Sequence, residues 1–65
     1  MQISVNGQTR EVNATTLDLA LEELGFTGGA IATAVNGGFV AAPARAAHPL
    51  AANDQLEVLA PMQGG

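Results

Sequence analysis

Apolar and polar residues alternate at the start of the chain and again near its end, and between these stretches the apolar positions repeat at helical spacing. Ile3 and Val5 lie two residues apart, which puts them on one face of an extended segment. Asn6-Gly7 follows at once. Asn-Gly is the strongest short hairpin signal, because both residues accept a positive φ. The pattern predicts a strand near residues 1–6 and a second near 8–13, whose Val12 joins Ile3 and Val5. Thr15-Thr16-Leu17-Asp18 then has the spacing of a capping box, with Thr15 as N-cap and Asp18 near the positive end of the helix dipole. Leu17, Ala20, Leu21 and Leu24 follow at i, i+3, i+4 and i+7, one face of a helix. Glu22 and Glu23 lie off that face as a solvated pair, and Leu19 at its exposed edge. Gly25 suits the left-handed stop of this helix, with Phe26 as its apolar follower.

The second half is read in the same way. Thr27-Gly28-Gly29 is a connector, since a phosphate loop of the Walker type needs a lysine and this chain has none. Residues 30–36 are apolar on both faces, which predicts a central strand. Val35-Asn36-Gly37 repeats the tripeptide Val5-Asn6-Gly7 and predicts a second turn, leading to a short strand around Phe39-Val40. Residues 42–49 are irregular, because Pro43 and Pro49 rule out a continuous strand. Asn53-Asp54 makes a turn, residues 55–59 form the last strand, and Pro61 ends it. The order of these elements predicts an α+β fold of the β-grasp type, a mixed four- to five-stranded sheet with one main helix packed across one face. Residues 1–60 are the β-grasp domain and residues 61–65 a flexible tail ending in Gly-Gly. On the last strand Leu56 and Val58 share a face and Leu59 points the other way; with Leu56 and Val58 toward the helix, Leu59 lies on the side of the sheet that little chain is left to cover.

Composition narrows what such a domain does. Its 65 residues make one domain, and a chain of this size buries only about 60% of its unfolded surface. The core is aliphatic: 48% of residues are hydrophobic, 3% aromatic and 12% charged, too apolar and too weakly charged for intrinsic disorder. The net charge is −4, with two arginines and no lysine, so a nucleic-acid backbone would be repelled and a polybasic membrane patch is missing. No apolar run is long enough to span a membrane and no secretory leader is legible, so the expectation is a soluble cytoplasmic protein. With no cysteine there is neither a disulfide nor a thiolate.

Candidate chemistry within the domain is sparse. His48, the only histidine, sits between Ala47 and Pro49 and is expected to be exposed. Glu22 and Glu23 are adjacent on a helix, about 100° apart, and cannot work as a pair. Asp54 and Glu57 are a turn residue and an outward-facing charge. The sequence thus offers no catalytic residue and no metal site, and attention falls on the ending Ala60-Pro61-Met62-Gln63-Gly64-Gly65. Two terminal glycines are the least bulky ending a chain can have.

The stretches AVNGGFVA and PLAANDQLEVLAPMQGG, with the opening MQISVNG and the helix TTLDLALEELG, resemble the ThiS family of sulfur carrier proteins, which are ubiquitin-like β-grasp proteins. The likeness covers nearly the whole chain. The terminal Gly-Gly is shared with the MoaD family and with ubiquitin, while Pro61-Met62-Gln63 is closer to the thiamin-pathway carriers. Departures fall in loops: residues 41–47 carry Arg45 late where the family often has Pro-Arg and an aromatic residue, and Asn53-Asp54 stands where Asp-Gly-Asp is common.

The resemblance implies a carrier, not an enzyme, whose Gly65 carboxylate is adenylated and converted to a thiocarboxylate that supplies sulfur for the thiazole of thiamin. It implies no bound cofactor, with ATP used by a ThiF-like (E1-like) adenylating enzyme. Its other implied partners are the thiazole synthase ThiG and a sulfur-donor protein such as a cysteine desulfurase or rhodanese. Gly64, Gln63 and Met62 are the expected tail-recognition residues, and Leu59, with Phe39 as a weaker member, the expected docking surface. The alternatives are a MoaD-like carrier for molybdopterin or another sulfur-containing metabolite, and a β-grasp interaction module with an inert tail.

Overall fold

The two Asn-Gly pairs do turn the chain. In a computed structural model, which describes residues 1–26 and 30–60, Asn6 and Gly7 have φ of 49° and 86°, and Asn36 and Gly37 have 50° and 83°. Both central residues are left-handed, the geometry whose twist matches a two-residue hairpin. The first turn joins β1 (Gln2–Val5) to β2 (Gln8–Glu11), and the second joins β3 (Ala32–Val35) to β4 (Gly38–Val40). Helix α1 (Leu17–Leu24) lies between the hairpins in sequence, and β5 (Gln55–Leu59) follows them.

The sheet order is β2-β1-β5-β3-β4. Strand β5 runs parallel to β1 and antiparallel to β3, so the last strand occupies the middle and ties the hairpins together. The sheet is therefore mixed and five-stranded, with one main helix across one face, the β-grasp arrangement. Residues 30–36 were expected to be central and apolar on both faces. Strand β3 is an interior strand, between β5 and β4, but its burial alternates, with Thr33 and Val35 buried and Ala32 exposed. Alanine is small enough to sit in water at little cost, so an alanine-rich strand does not have to be buried on both sides.

The core forms between α1 and the covered face. Ile3 and Val5 of β1 and Leu56 and Val58 of β5 pack with Leu17, Ala20 and Leu21 of the helix, and Val12 is fully buried just past β2. The apolar stripe is as expected, with Leu24 partly buried at its end and Leu19 48% exposed.

The helix starts one residue later than the capping-box spacing suggests. Thr16, not Thr15, is the N-cap, and its hydroxyl donates to the Asp18 carboxylate instead of to the backbone. The Thr15 carbonyl accepts from the Leu50 N–H at 2.9 Å, and Thr16 bridges Pro49, so a distant segment holds Thr16 in extended form as the N-cap. At the other end Gly25 has φ 91°. Its N–H donates to the Glu22 carbonyl and that of Phe26 to the Leu21 carbonyl, at 3.1 and 2.8 Å, which closes the last turn in a Schellman motif.

Residues 42–49 are more regular than expected. Ala42–Ala47 form a 3-10 helix, with Pro43 in its first turn, where a missing N–H does no harm. Glu23 has a partner as well: its carboxylate accepts from the backbone N–H groups of Asn13 and Ala14 at 2.9–3.0 Å, which ties the segment after β2 to the helix. The expected connector Thr27-Gly28-Gly29 and the strand-ending Pro61 lie outside the described residues.

Candidate functional site: the open face and the end of the central strand

The proposed tail residues Met62, Gln63, Gly64 and Gly65 also lie outside the described residues, so the site is built from what leads to them. Strand β5 carries the chain to Ala60. Its burial alternates, with Leu56 and Val58 under the helix and Gln55, Glu57 and Leu59 on the open face.

Both hairpin asparagines reach onto β5. The Asn6 amide donates to the Val58 carbonyl at 3.1 Å, and its oxygen accepts from the Val58 N–H at 2.8 Å. Paired strand residues of β1 and β5 stop at Val5 and Leu56, so the Asn6 side chain stands in for the next backbone partner. Asn36 does the same at the start of β5. Its oxygen accepts from the Gln55 N–H at 2.9 Å, and its amide donates to the Asp54 carboxylate at 3.0 Å. The repeated Val-Asn-Gly is thus both a turn and a clamp on the strand that leads to the tail. The repeat was visible in the sequence, whereas its second use depends on long-range pairing.

The open face divides into two halves. On the β1–β2 side the outward residues are polar: Ser4 lies opposite Thr9 and Gln55, and Gln2 opposite Glu11. On the β3–β4 side they are apolar. Leu59 is opposite Ala32, and Ala34 is opposite both Glu57 and Phe39. Leu59 and Phe39 are 70% and 73% exposed, so Phe39 is a surface residue and not core. Between them the two alanines floor a recess of about 120 Å³, with Glu57 on its wall. A second, shallower apolar depression of about 390 Å³, lined by Ala30, Ile31, Ala32, Leu59 and Ala60, lies where β5 ends.

Arg45 supports this corner from the 3-10 helix. It donates to the Ile31 carbonyl at 2.7 Å and to the Thr33 hydroxyl at 3.1 Å, and Thr33, 1% exposed, donates in turn to the Val40 carbonyl at 2.7 Å. These bonds fix the start of β3 beside Leu59, a role that no spacing in the sequence signals.

The remaining candidates have structural roles. His48 is half-buried, not exposed, and its carbonyl accepts from the Leu17 N–H at 2.9 Å, capping α1. Asp54 accepts from the Ala51 N–H at 2.8 Å, and this bond, helped by Asn36, holds its carboxyl below the usual aspartate value. Among the described residues no group of His, Cys, Asp and Glu could hold a metal ion, and no helix is long and apolar enough to cross a membrane.

A mixed sheet that grips one helix and sends its middle strand toward the C-terminus is the architecture of the ubiquitin-like β-grasp proteins. Comparison of the fold with solved structures gives a thiamine biosynthesis protein (ThiS) from Geobacter metallireducens, with a TM-score of 0.83, 25% identity and 100% of both chains covered. The sequence matches the model of the ThiS family over residues 3–65, and the chain belongs to that family, whose members are small sulfur carriers and not enzymes. No curated protein matches the sequence.

Proposed function

We propose that the chain carries sulfur on the carboxylate of Gly65 and delivers it to thiazole formation in thiamin biosynthesis. The observation that supports this reading is the extent of the family match, which runs through the Gly-Gly ending to residue 65. A carboxylate is a poor acyl donor. Joining it to AMP, with loss of pyrophosphate from ATP, supplies a good leaving group. Hydrosulfide then forms the C–S bond as the C–O bond to AMP breaks, and the product is a C-terminal thiocarboxylate; sulfur delivered as a donor's persulfide forms an acyl disulfide, whose S–S bond a thiol reductant cleaves to give the same product. A ThiF-like adenylating enzyme supplies ATP and the site, a sulfur-donor protein such as a cysteine desulfurase or rhodanese supplies sulfur, and ThiG receives it.

The residues suit that chemistry. Gly64 and Gly65 carry no side chain to crowd the acyl carbon in a narrow cleft. Gln63 and Met62 are the contacts a partner reads on the way in, and Pro61 limits how much chain must be ordered, at about 1–2 kcal/mol per residue fixed. Leu59 and Phe39, both exposed on the apolar half of the open face, form the docking patch for the adenylating enzyme.

Intact-mass spectrometry tests the reading. The protein is incubated with ATP, a sulfide source and a ThiF-type enzyme, with a Gly65-deleted chain as control. A gain equal to one oxygen replaced by sulfur, missing in the control, is the expected result. No gain with that enzyme, but a gain with a MoeB-type one, would assign the carrier to molybdopterin synthesis. No gain with either would leave a β-grasp module with an inert tail. Leu59→Glu should weaken adenylation about tenfold or more without unfolding the domain, and an unchanged rate would remove Leu59 from the patch.

A further inference from the structure

Glu57 is out of place on the face where it sits. Its register neighbour is Ala34, beyond which stands Phe39, and Leu59 follows two residues along its own strand. Its carboxylate therefore rises from the wall of an apolar recess floored by Ala32 and Ala34. It is exposed and makes no hydrogen bond or ion pair among the described residues. Neither arginine serves it. Arg10 lies opposite Ile3, on the helix side of the sheet, and Arg45 is committed to Ile31 and Thr33.

In water this arrangement is harmless. Under a docked partner it is not, because the partner that covers Leu59 and Phe39 also covers Glu57. A carboxylate stripped of water and left unpaired disfavours the complex strongly, so a tight complex requires a cation from the other side. The shape of the recess selects the kind of cation. Two alanines leave a slot between a leucine and an aromatic ring, which accepts an aliphatic stem. A planar guanidinium at the end of that stem can meet the carboxylate while its flank lies near the ring.

We infer that the recess bounded by Leu59, Phe39, Ala34 and Glu57 is a subsite for an arginine of the adenylating enzyme, with Glu57 as the residue that selects it. The inference rests on the docking reading above and adds to it the identity of one partner group. Glu57 is a specificity determinant and stands apart from the reacting carboxylate.

The test is ATP–pyrophosphate exchange by a ThiF-type enzyme, with the carrier concentration varied to obtain KM and kcat. Glu57→Gln keeps the shape and removes the charge. Glu57→Leu makes the whole patch apolar. Leu59→Glu is run beside them, and circular dichroism checks that each variant folds. If the subsite exists, both Glu57 variants raise KM by about tenfold to a hundredfold, with the loss falling on KM and not on kcat. The rise of the native KM with added salt also flattens in both. Glu57→Leu is the decisive variant, because a face that asks only for apolar area would bind this variant more tightly. A KM unchanged or lowered by Glu57→Leu, with Leu59→Glu still harmful, overturns the subsite and leaves apolar docking in place. A KM indifferent to all three variants overturns the docking reading and the subsite with it.

Discussion

Replacing Asn6 by glycine isolates the clamp on the central strand from the turn that carries it. Glycine keeps the left-handed conformation of residue 6, φ 49°, and removes only the side-chain amide. Two hydrogen bonds to Val58 are lost, at 2.8 and 3.1 Å, and both are partly buried, so water replaces them poorly. At about 1 kcal/mol for each bond the loss comes to about 2 kcal/mol. Glycine also frees the unfolded chain, which destabilises by about 0.5–1 kcal/mol, while relief of the left-handed strain on asparagine offsets a similar amount. Asn36→Gly is the natural control, because it carries the same two backbone terms at φ 50°. Its lost bonds, to Gln55 and Asp54, are exposed and should be worth about half as much. For a domain of this size about 2 kcal/mol lowers Tm by about 8–16 °C. Urea and thermal unfolding followed by far-ultraviolet circular dichroism measure both variants. Asn6→Gly should be the less stable by about 1 kcal/mol. An Asn6→Gly protein as stable as the Asn36→Gly one, or within about 0.5 kcal/mol of the native chain, would refute the clamp.

Three other outcomes follow from the same geometry. Gly25→Ala should destabilise by about 1–2 kcal/mol through the left-handed φ of 91° alone, since an added Cβ meets nothing within 4 Å; urea unfolding measures it, and an unchanged midpoint would mean the helix end rearranges at no cost. Asp54 has its carboxyl lowered in the fold, first by the Ala51 N–H and then by Asn36. It therefore adds stability above the ordinary value of 3.8, and that stability is lost as pH falls through the lower folded value. Asp54→Asn should flatten the acid limb of the stability–pH curve, and a limb of unchanged slope would assign it to other carboxylates. Thr33→Val leaves the Arg45 guanidinium and the Val40 carbonyl each short of a bond, and should lower stability by about 1–3 kcal/mol in the same unfolding assay; a neutral result would show that Arg45 finds another acceptor.

What the sequence made legible was local. Both Asn-Gly turns, the helical stripe from Leu17 to Leu24, the Gly25 stop and the alternation of residues 55–59 depend on neighbours a few positions away, and all appear in the fold. The misreadings share one cause. Thr15 looks like an N-cap until Leu50 takes its carbonyl. Residues 30–36 look apolar on both faces, yet only Thr33 and Val35 are buried, because the helix covers one side of the sheet alone. Residues 42–49 form no strand, as the prolines require, but they look irregular where Ala42–Ala47 wind into a 3-10 helix. His48 looks exposed, yet its backbone caps α1. In the candidate site, Leu59 was legible from the period of two, and Phe39 only as an ambiguity that its 73% exposure resolves. The support from Arg45 and the setting of Glu57 depend on which strands become neighbours, and no spacing encodes that.

The position of β5 also dictates when the domain can fold. Each hairpin closes on its own turn, but the two hairpins touch in the sheet only through the strand made last. Local pairs form quickly, and a pairing as distant as β1 with β5 has to wait for its loop to close. A chain still being synthesised therefore holds two unjoined ribbons, with Leu56 and Val58 missing from the core. Folding is withheld until the strand that bears the tail has been made. On the function proposed above, an enzyme that docks on the open face would meet that face only on chains that already carry the strand leading to the Gly-Gly ending.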